Sequence, residues 1–416
     1  MKIRLYETLI DVLLLIGVGV PLIFGGALDS WRTILTVGVV IVTILYVLFH
    51  KFKQSENNKF LCAYIIIFSI IIVFEIIKGK TRFNYSFYEV FYALRQYIWI
   101  VLSVPIYYII VKSKNIDRYL KRIVSIVLIS LGLRTITWFF KNYLGITVFR
   151  DLLYEYGVSW SRSGKQRLDA TALISVAIPI VFYLYAKYKK KRYICMLAYI
   201  FFYLLCVAQT RTLILGCILC VIAVVVFKRR STLKTIAVQL TIFIILYLMI
   251  YFGGLDFILD KMNISINDSS IGYRYYEYTY YSSLLKNGEW ITGIGIVTEL
   301  NYKARSLLFG NLSTKMYLGD LGVFECFFQF GIFTILLYGG LLVYIICLIM
   351  KCKKIKEYNY LPYLYGQFFY IAIVSLPLNL FGIQRIFAVP VILAIICAID
   401  HIVTKNKNKS RKEIKK

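Results

Sequence analysis

The chain has 416 residues, 60% of them apolar, and a mean hydropathy of +0.72. Water-soluble domains are about 45–50% apolar, so an ordinary soluble fold is excluded. The formal net charge of +28 would suggest nucleic acid in a soluble protein, but here the basic residues sit in short connections between apolar runs, which excludes that partner.

Apolar runs of about 20 residues recur along the chain and predict membrane helices. The first, near 8–28, is too long for the apolar core of a cleaved signal and reads as a retained helix. Further spans are expected at 33–49, 60–77, 90–111, 120–140, 168–186, 193–209, 212–227 and 234–252, then at 321–350, 360–380 and 386–403. The tenth is long enough to be tilted or to run on beyond the bilayer. The expected fold is an all-α integral membrane protein of about twelve transmembrane helices.

With the N-terminus inside, the inner segments collect Lys2 and Arg4, then Lys51, Lys53 and Lys59, then Lys112, Lys114, Arg118, Lys121 and Arg122. Lys187 to Arg192, Lys228 to Lys234, Lys351 to Lys356 and the lysine-rich tail follow. Basic residues in short loops mark the cytoplasmic side, so both termini are expected inside. Residues 1–252 then hold nine helices, with an outer loop near 141–167. A large outer loop covers 253–320, three more helices cover 321–403, and 404–416 form a basic cytoplasmic tail.

All nine cysteines lie in or at the ends of apolar runs, so no disulfide framework or CxxC metal site is expected. His50 and His401 are the only histidines and lie beside basic inner segments, which argues against a histidine metal site or triad. There is no phosphate-binding glycine loop and no dinucleotide fingerprint, so no cofactor is expected. No DxD-like acidic pair in the outer loops points to a metal-held diphosphate.

Long structured loops concentrate function. In the second one, Tyr273, Tyr275, Tyr276, Tyr278, Tyr280 and Tyr281 surround Arg274 and Glu277. On a helix, Arg274, Glu277, Tyr278 and Tyr281 would share one face. Such rings suit stacking on sugars and equally suit a helix lying flat on the membrane. Arg95, Arg134, Arg211, Glu325 and Arg385 fall within or at the edge of spans, where charge is expensive. Arg211 reads either as a helix-end anchor or as a ligand-binding cation. For Arg95 and Arg134, pairing inside the bundle with Glu325 or Glu75 is the structural alternative. Outward arginines beside the membrane suit an anionic ligand, because guanidinium binds phosphate bidentately and stays charged.

The turn Ala208-Gln209-Thr210-Arg211-Thr212-Leu213 resembles the "(T/S)-x-(S/T)-R" turn of the O-antigen polymerase and ligase family. Gly272-Tyr273-Arg274 is similar to that family's loop arginine, and Trp290 to Gly295 to its "GxG" segment. Gly319-Asp320-Leu321-Gly322, leading into Phe328 to Phe333, resembles the entry into the family's next helix. The resemblance covers roughly 200–350. Two departures stand out: Asp320 occupies the position of the ligases' histidine, which favours the polymerase side, and Gln329 replaces a common glutamate.

The resemblance implies a glycosyltransferase of the bacterial cytoplasmic membrane, working on its outer face. It would join undecaprenyl-pyrophosphate-linked oligosaccharides into a surface polysaccharide, O-antigen or capsule. Arg211 and Arg274, with Arg305 or Arg162 in reserve, would stabilise the leaving diphosphate. Asp320, or second Glu277, would take the acceptor proton. Tyr276 and Tyr278 would position sugars. Membrane lipids, a flippase and a chain-length regulator are the implied partners. For Asp320 the structural alternative is an N-cap or hinge at the start of span ten. The rival functions are a flippase or transporter of lipid-linked oligosaccharide, and a ligase passing the glycan to another acceptor.

Overall fold

The computed structural model describes residues 2–49, 58–113, 115–155, 160–162, 164–210, 213–214, 216–218, 220, 222, 269–286, 288–310 and 316–414. Most of predicted spans eight and nine, the first part of the large loop, and Arg211 lie outside them.

The chain is a helical membrane protein. It opens with α1 (Lys2–Gly17), α2 (Leu28–Phe49), α3 (Lys59–Phe83), α4 (Phe87–Leu94) and α5 (Ser103–Ser113), the last two joined by a 3-10 turn at Tyr97–Leu102. Next come α6 (Ile116–Phe139), the short α7 (Arg150–Leu153), α8 (Ile174–Tyr188) and α9 (Lys191–Phe202). The later part holds α10 (Ser269–Leu284), α11 (Glu289–Thr292), α12 (Tyr302–Phe309), α13 (Val323–Phe330), α14 (Phe333–Ile355), α15 (Leu361–Phe369) and α16 (Ala388–Ile414). The predicted first outer loop also carries a small hairpin, β1 (Trp160–Arg162) antiparallel to β2 (Lys165–Arg167).

Among the described residues, six helical segments are long and apolar enough to cross a bilayer: Leu28–Phe49, Lys59–Phe83, Ile116–Leu144, Lys191–Ala208, Phe333–Ile355 and Ala388–Asn408. The pair Phe87–Leu94 and Tyr97–Ser113, bent by 44°, makes a seventh if it counts as one span. The membrane reading also rests on where the apolar side chains point. Ile34, Ile41 and Leu48 on α2, Ile66, Ile70 and Ile77 on α3, and Ile335, Val343 and Met350 on α14 are exposed. Apolar stripes that run the length of helices would be unfavourable in water at about 25 cal/mol per Å² but are at home against lipid tails. By contrast α16 is buried all round from Ala388 to Ile399 and forms the centre of the bundle.

Charged contacts sort the helix ends into two groups. At one end Glu7 meets Arg118 and Arg122, Asp117 meets Lys187, and Lys351 meets Asp400. This end carries the basic segments. At the other end Arg95 meets Asp29 at 2.5 Å, Arg134 meets Glu155, and Arg82 pairs with Glu289. The two predicted outer loops gather there.

Several expectations need correction. Span ten is not one long helix: it breaks between α13 and α14 at Gly331, whose φ of 56° lies in the left-handed region. The predicted eleventh span is helical only to Val374, and turns follow to residue 387. α16 continues through the basic tail to Ile414. Arg95 and Arg134 pair with Asp29 and Glu155, not with Glu325 or Glu75. Both acidic partners stand at the end of the bundle where the two long loops gather, so the two arginines need no partner among the spanning helices.

The break at Gly331 explains the glycine-rich segment 292–297. A helix that stops leaves carbonyls and amides without partners, and near a bilayer they must be satisfied internally. The segment supplies the missing groups, Ile294 N donating to Phe328 O (3.0 Å) and Gly295 N to Gln329 O (3.1 Å), while Ile296 N ties it to α3 through Glu75 O (3.1 Å). In return Ile332 N donates to Ile291 O at 2.8 Å. Only glycine allows so close an approach. A Cβ on Gly293 would lie 2.1 Å from Gln329 O, and one on Gly295 2.5 Å from Gly79 N. Lys78 of α3 tightens the seam by donating to Thr292 Oγ1 at 2.5 Å and to the Gly293 carbonyl.

Candidate functional site

Above this seam the described part of the predicted second outer loop folds on its own small core. Tyr281, Leu285, Ile294, Ala304, Leu308, Met316, Leu318 and Phe328 pack together with Phe83 and Tyr85 from the end of α3. Tyr281 anchors α10 by donating to Leu308 O at 2.5 Å and by an edge-on contact with Phe328 at 5.2 Å. Tyr280 donates to Leu307 O at 3.0 Å. Burial of Tyr281 therefore fixes the rotation of α10.

That rotation divides the predicted common face. Glu277, one turn before Tyr281, is fully buried, whereas Arg274, Tyr276 and Tyr278 are exposed. Glu277 Oε1 accepts from Tyr317 N at 2.7 Å, and Oε2 has no hydrogen-bond partner among the described residues. Burial pushes the Glu277 carboxyl up to about 7, and Asp320 adds to the rise; the Tyr317 amide and Arg274 oppose it. Tyr278 rests on Phe324 of α13 at 4.7 Å between ring centres.

Asp320 lies in a 3-10 turn, Leu318–Leu321, and its side chain is exposed. It does not cap the next helix: the cap of α13 is Gly322, with no side-chain cap bond. A Cβ there would lie 2.0 Å from Leu376 O, so the turn is pressed against the loop after α15. Arg274 and Asp320, picked from sequence, thus each lie within electrostatic reach of Glu277.

Other expected members stand apart. Arg305 is exposed on α12, lies 5.9 Å from the Phe309 ring and acts on Glu299. The backbone of Arg162 is in the β1–β2 hairpin opposite Lys165. Arg211 lies outside the described residues. The chain just before it lies beside the segment leading into α8, where Leu168 N donates to Val207 O at 3.2 Å and Tyr203 Oη to Asp169 O at 2.8 Å.

The structure adds Arg385 to this group. It sits half-buried in the turns before α16, and among the described residues no carboxylate pairs with it. Its charge is felt by Glu325 and by Asp169, whose carboxyl burial pushes up. A polar network holds these turns: Asn379 Nδ2 donates to Glu325 Oε2 and Tyr338 Oη to Asn379 Oδ1, both at 2.8 Å. Glu325 in turn is within reach of Asp320. Arg385 had a sequence signal, a charge at the edge of a span, but nothing local tied it to residues 60 or more positions away.

No family model matches this chain, and no curated protein matches it. The fold establishes its class, a polytopic helical membrane protein. Its particular activity rests on the site.

Proposed function

We propose that this chain is a membrane glycosyltransferase that polymerises undecaprenyl-pyrophosphate-linked oligosaccharide repeat units on the outer face of the bacterial cytoplasmic membrane, with about twelve helices and both termini inside. The observation that carries the reading is that Arg274 and Asp320 both act on the buried Glu277, on a helix that also exposes Tyr276 and Tyr278. These are the segments on which the family resemblance falls.

In this reading the exposed Asp320 carboxylate accepts the proton of the acceptor hydroxyl as it attacks the anomeric carbon. Glu277, buried and poised near neutrality, is a positioning residue: it holds the 317–320 turn by accepting from the Tyr317 amide. The leaving lipid diphosphate is met by Arg274, Arg385 and Arg211, whose planar forks suit phosphate oxygens. Tyr276 and Tyr278 offer ring faces to sugars. Tethering both substrates in the membrane plane raises their effective concentration.

The transport rival drew its support from charges inside the membrane. Arg95 and Arg134 are instead neutralised by Asp29 and Glu155 at the loop-bearing end of the bundle. The test is extension of a lipid-linked repeat by the purified protein in nanodiscs. A ladder of products that Asp320→Asn abolishes supports the proposal. Single repeat units left unextended, with transfer to a different lipid or wall acceptor, would assign ligase activity instead.

A further inference from the structure

Asp320 and Arg385 are far apart in the sequence, yet the turns that bear them are fixed to the same short helix, α13. The Asp320 turn runs into α13 through Gly322. Arg385 stands in the turns after α15, and those turns meet α13 twice. Val323 N donates to Leu376 O at 3.1 Å, and Asn379 Nδ2 donates to Glu325 Oε2 at 2.8 Å. A Cβ on Gly382 would come 3.1 Å from the same carboxylate oxygen, so the chain leading to Arg385 lies directly against Glu325.

Asn379, 2% exposed, is where these contacts converge. Its Oδ1 accepts from Phe381 N at 2.9 Å and from Tyr338 Oη of α14 at 2.8 Å. A backbone amide can only donate, so the Phe381 bond fixes which end of the side chain is the oxygen and leaves Nδ2 for Glu325. Tyr338 Oη also accepts from Leu380 N at 2.8 Å. Main-chain bonds carry the anchoring onward: Gly382 N donates to Asn379 O at 3.3 Å, and Arg385 N to Gly382 O at 2.9 Å. One buried side chain therefore joins α13, α14 and the turn that bears Arg385. Burying an amide costs desolvation that an apolar residue of similar size avoids, and what a completed network supplies in return is a fixed geometry. Glu325, the acidic member, is also within electrostatic reach of both Asp320 and Arg385.

We infer that Asn379 is a positioning residue of the transfer reaction: bound to Glu325 and Tyr338, it keeps the turn bearing Arg385 in register with the turn bearing Asp320, so that leaving group and acceptor are met in one geometry. The inference rests on the proposed function and deepens it with a residue that acts through two others. For its test, proteoliposomes hold the full chain with a graded mole fraction of the undecaprenyl-pyrophosphate-linked repeat extracted from cells lacking this protein. Chain extension then gives kcat and KM. Asn379→Asp keeps the oxygen used by Phe381 and Tyr338 but sets a carboxylate against Glu325. A displacement of about 1 Å in a reacting geometry costs about a hundredfold, so kcat should fall by about that factor while KM changes by less than about threefold. Adding Glu325→Gln reverses donor and acceptor, since its amide donates to the new carboxylate, and should restore kcat to within about tenfold of native. Tyr338→Phe, which removes one hydroxyl, should lower kcat about tenfold. A merely structural role would lower the melting temperature and leave kcat per folded protein unchanged, so melting is followed alongside. Native kcat in folded Asn379→Asp or in Tyr338→Phe would overturn the inference, as would a double variant that melts like the native protein yet stays as slow as Asn379→Asp. Absence of extension by the native protein would instead refute the polymerase reading, and the inference would fall with it.

Discussion

Replacing Glu277 by Gln gives the most direct measure of the loop module around α10. Glutamine keeps the oxygen that accepts from Tyr317 N but can never be charged. In the native protein burial raises the carboxyl from 4.5 to about 7. The folded state therefore holds the proton more tightly than the unfolded state does. Stability from this source is fully present below pH 4.5 and is lost as pH rises through about 7. A shift of about 2.5 units at 1.36 kcal/mol each corresponds to roughly 3 kcal/mol between the two limits. Glu277→Gln is expected to melt like the native protein near pH 4.5 and to become the more stable of the two by up to about 3 kcal/mol near pH 8. Thermal melting in nanodiscs across pH 4.5 to 8.5 reads this directly. Parallel native and variant curves would show that the carboxyl is not desolvated in the folded state, and its assignment as a neutral-range group would fall with it.

The remaining predictions address the seam, the buried ion pair and the outer face. Gly331→Ala should destabilise the loop–helix seam by about 3 kcal/mol or more. A left-handed backbone costs an L-residue about 1–2 kcal/mol, and a Cβ 2.2 Å from Ile291 O breaks the 2.8 Å bond beside it; trypsin cleavage within 269–310 should quicken. Glu155→Ala leaves the Arg134 guanidinium buried without its carboxylate and should cost about 3–5 kcal/mol in melting, while Glu155→Ala paired with Arg134→Met should recover much of it. Arg274→Lys and Arg385→Lys should each shorten or abolish polymer on gels, because an ammonium cannot reproduce the bidentate fork. Cysteines placed at Tyr276 and Lys354 should react with an impermeant thiol reagent from opposite sides of the membrane, and labelling from the same side would break the topology.

The apolar runs and the basic clusters between them are properties of the linear chain, because bilayer thickness sets the helix length and the charge bias needs no folding to be read. They were enough for the membrane class and for the placing of most described helices. The tyrosine-rich stretch was also legible as a helix with Arg274, Glu277, Tyr278 and Tyr281 in register. Which of these is buried was not, since Leu308 and Phe328, tens of residues further along, decide it.

The partners of the charged groups depended on the tertiary structure for the same reason. Arg134 finds Glu155 and Arg95 finds Asp29 through the packing of non-adjacent segments, and local spacing carries no trace of either. The break in the predicted tenth helix is another case. Gly331 alone reads as a tolerated helix glycine, and only the 291–296 backbone laid against it supplies the hydrogen bonds that make stopping there favourable. The sequence by itself determined the membrane class; long-range packing decided which charges pair, which carboxyl is desolvated and where a helix ends, because desolvation and hydrogen-bond completion depend on neighbours distant in the chain.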